Sequence, residues 1–389
     1  MPSQVAGIQP AVLRWARESQ GYSVEDVALH LKRDPAEIIA WESGYGGAAP
    51  TYTQLESLAY GLYKRPLAVF FLPAPPSEPS LKQEFRTLPD FELDQLAADT
   101  RYQLRVAHAF RLSLRELNED VNPSTRKIFR DLALATTANE REVARKMREY
   151  FGISLADQAS WGSDEEALKT WRNGVEEAGV FVFKHAFRQK AISGFCLVDD
   201  EFPIIYLNNS TAKTRQIFTL FHELAHLLLR VNAISKFDES YVDQLPQKER
   251  RIERFCNALA AEFLIPSEDF SRHVGALRRI DEESIQNLAR RYRVSREAVL
   301  RRIFDRGLIE RTYYEAKVKQ WAEESGDGGS GGNYYATQAT YLGESYLRLV
   351  FGKHYQGKLS IEQVADYLGV RAKSVAGLEA LMLQKAVSA

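Results

Sequence analysis

Cysteine is nearly absent from this 389-residue chain: Cys196 and Cys256 are the only two. That excludes a disulfide framework and leaves no cysteine pair at the spacing of a zinc finger. Long hydrophobic runs are missing as well. Nothing approaches the ~20 consecutive apolar residues a membrane span needs, and the N-terminus has no apolar signal-peptide core. Nor does one sign of charge dominate, since 51 Lys/Arg stand against 52 Asp/Glu for a net charge of −1. The molecule as a whole has no pull toward nucleic acid, so any such affinity must be local. These absences place the chain in the cytoplasm and away from membranes. What remains, 45% hydrophobic and 26% charged residues, is the composition of a globular protein. The length exceeds one ordinary core, so two or three domains are expected.

The stretch with the most chemistry is Thr219 to His226, T-L-F-H-E-L-A-H. His222 and His226 are four apart, so on a helix both imidazoles leave one face and can meet one ion. Glu223 is rotated about 100° from His222, where it reaches a water near the ion without being a ligand. Ile217, Leu220, Phe221, Leu224, Leu227 and Leu228 recur at helical spacing and supply a core face. Asn208, Asn209 and Ser210 offer a polar N-cap just before the helix. A His-Glu-x-x-His match arises by chance in a chain like this about one time in a hundred. The pattern reads as a zinc site.

Hydrolytic zinc takes three protein ligands and keeps a position for water, so one ligand is still wanting. The next strong helix, 247–265, ends at Pro266 and carries Glu249, Glu253 and Glu262 as acidic candidates. Glu253 shares a stripe with Asn257 and the small Ala260/Ala261, which favours it modestly; Glu262 points from another stripe. Upstream, 164–178 reads as a helix stopped by Gly179, and Val180–Phe183 as a short buried strand. Ile192–Val198 and Phe202–Leu207 form a hairpin around Asp199-Asp200-Glu201. The second hairpin strand, P-I-I-Y-L-N-N, is a candidate rail for an extended peptide substrate. Tyr206, Tyr241 and His273 are candidate donors to a tetrahedral oxyanion.

Residues 1–72 read as all-helical. Pro10 opens one helix, Ser23 caps a second, Asp34 caps a third that ends at Gly44, and a fourth follows Pro50-Thr51. The third helix carries Glu37 and Glu42 and no Lys or Arg, and residues 1–90 hold 8 Lys/Arg against 10 Asp/Glu. Phosphate neutralisation drives DNA affinity, so this surface is a poor DNA reader, and a protein-interaction or dimerisation unit is the competing role. Residues 73–162 read as a Pro-rich linker and a helical connector of two long helices, Phe91–Asn118 and Pro123–Phe151, broken near Thr136-Thr137. The catalytic core spans 163–270. Residues 271–322 are basic: 271–319 hold 13 Lys/Arg against 7 Asp/Glu. There Arg290, Arg291, Arg293, Arg301 and Arg302 are candidate contacts to nucleic acid or an acidic partner. Residues 323–333 are a Gly-rich linker and 334–389 a small helical domain. The fold class is mainly α with a small β-sheet (α+β).

Two resemblances add to this. The order L-R-W-A-R-E, V-E-D-V-A-L-H-L, W-E-S-G, P-T-Y-T-Q-L-E-S-L-A resembles the XRE/Cro-type helix-turn-helix family over about residues 8–72. The set I-I-Y-L-N-N, R-Q-I-F-T-L-F-H-E-L-A-H-L-L-L and E-R-F-C-N-A-L-A-A-E-F-L-I-P, over roughly 165–310, resembles the ImmA/IrrE zinc metallopeptidases. That second resemblance implies His222, His226 and Glu253 as zinc ligands and Glu223 as general base. Cys256 stands where that family often has Ala. It further implies an endopeptidase that cleaves a partner regulator, a repressor or antitoxin, in a transcriptional, stress, phage or toxin–antitoxin setting. The alternative is a DNA-binding regulator or antitoxin whose zinc site is structural or vestigial. Neither reading sets the oligomeric state, a dimer included.

Overall fold

The computed structural model describes residues 4–78, 81–85, 88–236, 240–324 and 333–387. It is mainly α with one small sheet, and it divides into two compact units. Most of the 323–333 linker lies outside the described residues. No helix among the described residues is long and apolar enough to cross a membrane.

The first unit is Met1–Glu84 with Pro89–Val106 and Phe187–Gln189. Its opening helices are Pro10–Ser19, Val24–Leu31 and Pro35–Ser43, closing on a core of Val12, Leu13, Ala16, Val27, Ile38, Trp41 and Leu55. Their ends follow local chemistry. Ser23 accepts from the Asp26 amide while the Asp26 carboxylate accepts from the Ser23 amide, and the Asp34 side chain accepts from the Ala36 amide. Gly44 ends the third helix at φ +67°, a conformation that favours glycine. The fourth helix, Tyr52–Glu56, continues as a π-helical turn, Ser57–Tyr63, rather than as regular α-helix. Glu42 is not a surface acid of the third helix. It is buried, and Arg17 Nε and Nη2 donate to its two oxygens at 2.8 Å each. A bidentate guanidinium cancels its charge, so the acidity read from this helix is weaker at the surface than the residue count implied.

The second unit is Phe85–Leu88, Ala107–Ala186 and Lys190–Ala389. The connector is more broken than the two long helices expected. Short Asp90–Asp94 precedes Ala98–Leu117, and short Ile128–Asp131 precedes Glu140–Phe151. Glu119 and Asp120 at φ +53° and +62° stop the longer helix. Asn122 then donates to the carbonyls of Gly179 and Glu201, fixing an extended segment, and Asn139 caps the last helix through the Arg141 and Glu142 amides. The two Asn122 bonds, spanning 57 and 79 residues, have no counterpart in a helical periodicity.

The sheet runs β1 (Phe181–His185), β3 (Ile204–Asn208), β2 (Ile192–Leu197), β4 (Ala233–Lys236). β1 and β3 are parallel, and the other neighbours are antiparallel. β3, expected to be a substrate rail, has both edges paired and cannot accept another strand. β4, which the sequence reading did not assign, is an edge strand next to β2.

One face of the sheet carries the His-Glu-x-x-His helix, Lys213–Leu228. A Cβ on Gly194 of β2 would sit 2.8 Å from both Thr219 Cγ2 and the Tyr206 carbonyl, so glycine permits the helix to lie this close. The other face is aromatic. Tyr206 stacks on Phe195 at 4.9 Å, and Phe183 packs on Phe110 at 4.2 Å and on Tyr346 at 5.2 Å. Below the motif helix, Trp171 of the Asp164–Glu177 helix meets Phe221 at 5.0 Å and Phe263 at 5.1 Å. Residues of the 271–322 segment, among them Ile285, Leu288, Val299 and Ile303, belong to this same core.

Lys184 of β1 is 4% exposed. Burial lowers its pKa from 10.5 to about 6, and Arg172 and Lys213 push the same way. Between those two values the unfolded chain binds a proton that the folded chain does not, so this residue makes stability rise with pH across that window. Lys184→Met is therefore expected to raise the melting temperature at pH 7 and to flatten its rise from about pH 6 to pH 10. Calorimetry over that range checks both, and a lower melting temperature at pH 7 would contradict the argument.

Candidate metal centre

The motif helix begins at Lys213, later than the Asn208-Asn209-Ser210 cap expected for it. Its N-cap is Ala212, which has no side chain to give. Asn208 is engaged elsewhere: Nδ2 donates to the Ile192 carbonyl, and Oδ1 accepts from the Ser210 amide and hydroxyl. It ties the end of β3 to β2 and shapes the turn into the helix. From Gln216 through Leu228 all but Phe218 is buried, polar residues included.

A second helix, Gln247–Leu264, packs across this one and ends before Pro266. Where they meet, three ligand atoms come together from His222, His226 and Glu253. His222 Nε2 and His226 Nε2 are 3.0 Å apart, and each lies 3.3 Å from a Glu253 oxygen. Zinc bonds of ~2.0–2.1 Å at tetrahedral angles give ligand–ligand edges of about 3.3 Å. The spacings observed are of that size, with His222 Nε2 facing Glu253 Oε2 and His226 Nε2 facing Oε1, so the carboxylate addresses each imidazole with one oxygen. The residues are 5%, 0% and 1% exposed, almost wholly shut off from bulk water. Both Nδ1 atoms and both Glu253 oxygens have no hydrogen-bond partner. A buried carboxylate is costly unless its charge is compensated, and a cation between the two Nε2 atoms and Glu253 would compensate it. Burial alone would raise the Glu253 carboxyl, but His226 and His222 outweigh it and hold it down at about 2. It is a ready anionic donor. The residues present fit a divalent metal.

Glu223 is fully buried beside the cluster, on the side of the sheet, with the Ser235 hydroxyl and the Cys196 thiol next to its carboxyl. Burial raises its carboxyl to about 7, with the His222 ring opposing. A carboxylate poised there exchanges a proton readily at neutral pH.

The other acidic candidates lie elsewhere. Glu262, a turn or more beyond, accepts from the Ser267 amide at 2.9 Å, the Ser267 hydroxyl at 2.6 Å and Arg302 Nη2 at 2.8 Å. It caps the Ser267–Gly275 helix and neutralises Arg302. Glu249 stays half-exposed in the first turn. Cys196 and Cys256 are buried without exposure, and burial pushes both thiols well above their ordinary range. Neither belongs to the metal-type cluster, and such thiols behave as small apolar groups.

The oxyanion candidates separate. Tyr241 lines a small cavity with His222 and Glu253, open to about 10 Å3. That is room for roughly one water. Tyr206 is not brought there. It stacks on Phe195, on the opposite face of the sheet from Gly194 and the motif helix. His273 is also elsewhere, 3.7 Å from Asp269 on the Ser267–Gly275 helix. Ser235 of β4 and Asn257 line the metal-side cavity too, and neither was singled out in the sequence. Asn257 lay on the Glu253 stripe and was recoverable at i+4. Ser235 was not, since a four-residue strand carries too little periodicity.

The proposed arginine contacts are mostly engaged within the chain. Arg302 binds Glu262 and the Ile265 carbonyl, Arg291 is 3.4 Å from Asp269, Arg293 is 3.7 Å from Asp164, and Arg301 is 3.0 Å from Asp305. Arg290 is exposed.

No curated protein matches this chain. Residues 175–304, which hold β1 to β4, both crossing helices and all four residues of the centre, match the family model described as Peptidase_M78, the IrrE N-terminal-like domain, and so place a peptidase-family domain in that third of the chain.

Proposed function

We infer that this chain is a zinc-dependent endopeptidase with His222, His226 and Glu253 as the metal ligands and Glu223 as general base. The observation that carries it is the convergence of both Nε2 atoms on the Glu253 carboxylate at 3.0 and 3.3 Å, with the fully buried Glu223 next to it. A purely structural site has no use for a dry carboxylate beside its ligands. Bound zinc supplies Lewis acidity, which polarises a scissile carbonyl and makes water a better acid. Glu223 takes the proton of the attacking water, and the raised pKa lets it return that proton to the leaving amine. Tyr241 is the donor best placed for the oxyanion, because it shares the cavity with His222. β4 replaces β3 as the rail for an extended peptide. It is an edge strand, and its Ser235 and Lys236 line that cavity.

The substrate in this reading is a partner regulator, a repressor or antitoxin. The XRE-like order of residues 8–72 supports it, as does the local charge there, which suits protein contacts better than phosphates.

Elemental analysis of protein purified without added metal tests the ligands. One zinc per chain is expected in the wild type, lost in His222→Ala and Glu253→Ala. Glu262→Ala should keep the metal while losing roughly 1–3 kcal/mol of stability from the unpaired Arg302. Full zinc in His222→Ala would sink the assignment. Glu223→Gln should retain zinc and cut proteolysis by about 10²–10⁴-fold. Mass spectrometry of newly formed N-termini in cells expressing wild type or Glu223→Gln measures this, and identical sets of termini would refute the enzyme.

A further inference from the structure

A second and larger cavity, about 510 Å3, lies away from the metal cluster in the basic part of the second unit. Its volume falls in the range of small-molecule sites, roughly 300–1,000 Å3. Four basic groups reach it from three segments, His273, the loop residues Arg278 and Arg279, and Arg291 of the Glu282–Tyr292 helix, alongside the carboxylates of Asp281 and Glu283. Arg279 pairs with Asp281 at 2.5 Å but keeps 82% of its side chain exposed, and Arg291 holds Asp269 only at 3.4 Å. The Arg279 pair is exposed, worth little and readily exchanged for a better anion, whereas Arg291 keeps its buried Asp269 partner and adds positive charge to the wall. Arg278 is exposed, and none of the ion pairs among the described residues involves it. Guanidinium forks match phosphate oxygens two at a time.

The rest of the wall narrows the ligand. Leu277 and Leu288 give an apolar side, and Asn287 offers an amide that donates and accepts. Glu283 opens into the same cavity. A carboxylate here repels a continuous phosphodiester backbone but accepts from sugar hydroxyls. The neighbouring Arg296–Phe304 helix is no better for nucleic acid, since Arg301 and Arg302 are taken by Asp305 and Glu262. We propose that this cavity binds a phosphorylated nucleoside, with its phosphates on Arg278, Arg279 and Arg291, its base against Leu277 and Leu288, and its sugar toward Glu283.

The test is a fluorescence titration of the full-length chain with N-methylanthraniloyl-ATP, displaced by unlabelled AMP, ATP, inorganic phosphate or single-stranded DNA. Saturable binding is expected, displaced by AMP and ATP well before inorganic phosphate. Affinity should fall at least tenfold in the Arg278→Ala/Arg279→Ala double variant, whose melting temperature stays at the wild-type value because both side chains are exposed. Absence of saturable binding, or unchanged affinity in the double variant, overturns the proposal. Displacement by DNA but not by mononucleotides would make this a nucleic-acid surface instead, and equal displacement by phosphate and AMP would remove the nucleoside from it.

Discussion

Two imidazole nitrogens and a carboxylate are held within 3.3 Å of one another in a place almost wholly shut off from bulk water. Without a cation that arrangement leaves lone pairs and a negative charge uncompensated, and much of the second unit can be read as the framework that keeps it in place. Gly194 lets the motif helix settle on the sheet. Phe221, Phe263 and Trp171 lock the two crossing helices together beneath it. Glu262 and Arg302 close the far end of the ligand helix, so that Glu253 is fixed in both rotation and height.

The same dryness sets the chemistry. Burial holds Glu223 near neutrality while neighbouring imidazoles hold Glu253 acidic, so two carboxylates of one site are driven to different protonation behaviour. One suits proton transfer and the other suits binding a cation. That division follows from which carboxylate faces the imidazoles, and it needs no difference in residue type.

What was legible in the sequence was local. His222, Glu223 and His226 were readable because helix geometry alone decides which side chains share a face, and the caps at Ser23 and Asp34 because they are bonds between residues two or three apart. Tyr206 misled because strand alternation tells that it faces away from its neighbours but not which face meets the motif helix. The arginines misled for the opposite reason. Arg291, Arg293 and Arg302 find their acids 22, 129 and 40 residues away, partners that a count of charges in one window cannot contain.

The chain's own order of residues thus determined a helix with a two-histidine face and a carboxylate beside it, the helical character of both ends, and a small sheet in the middle. Tertiary structure decided the rest: that Glu253 and not Glu262 completes the cluster, that β4 rather than β3 lies at the sheet edge, that Glu42 is neutral to the outside, and that a basic segment lines an open groove. The physical reason is range. Periodicity and capping act within a turn or two, whereas ligand convergence, strand order and charge neutralisation depend on packing between segments far apart in the chain.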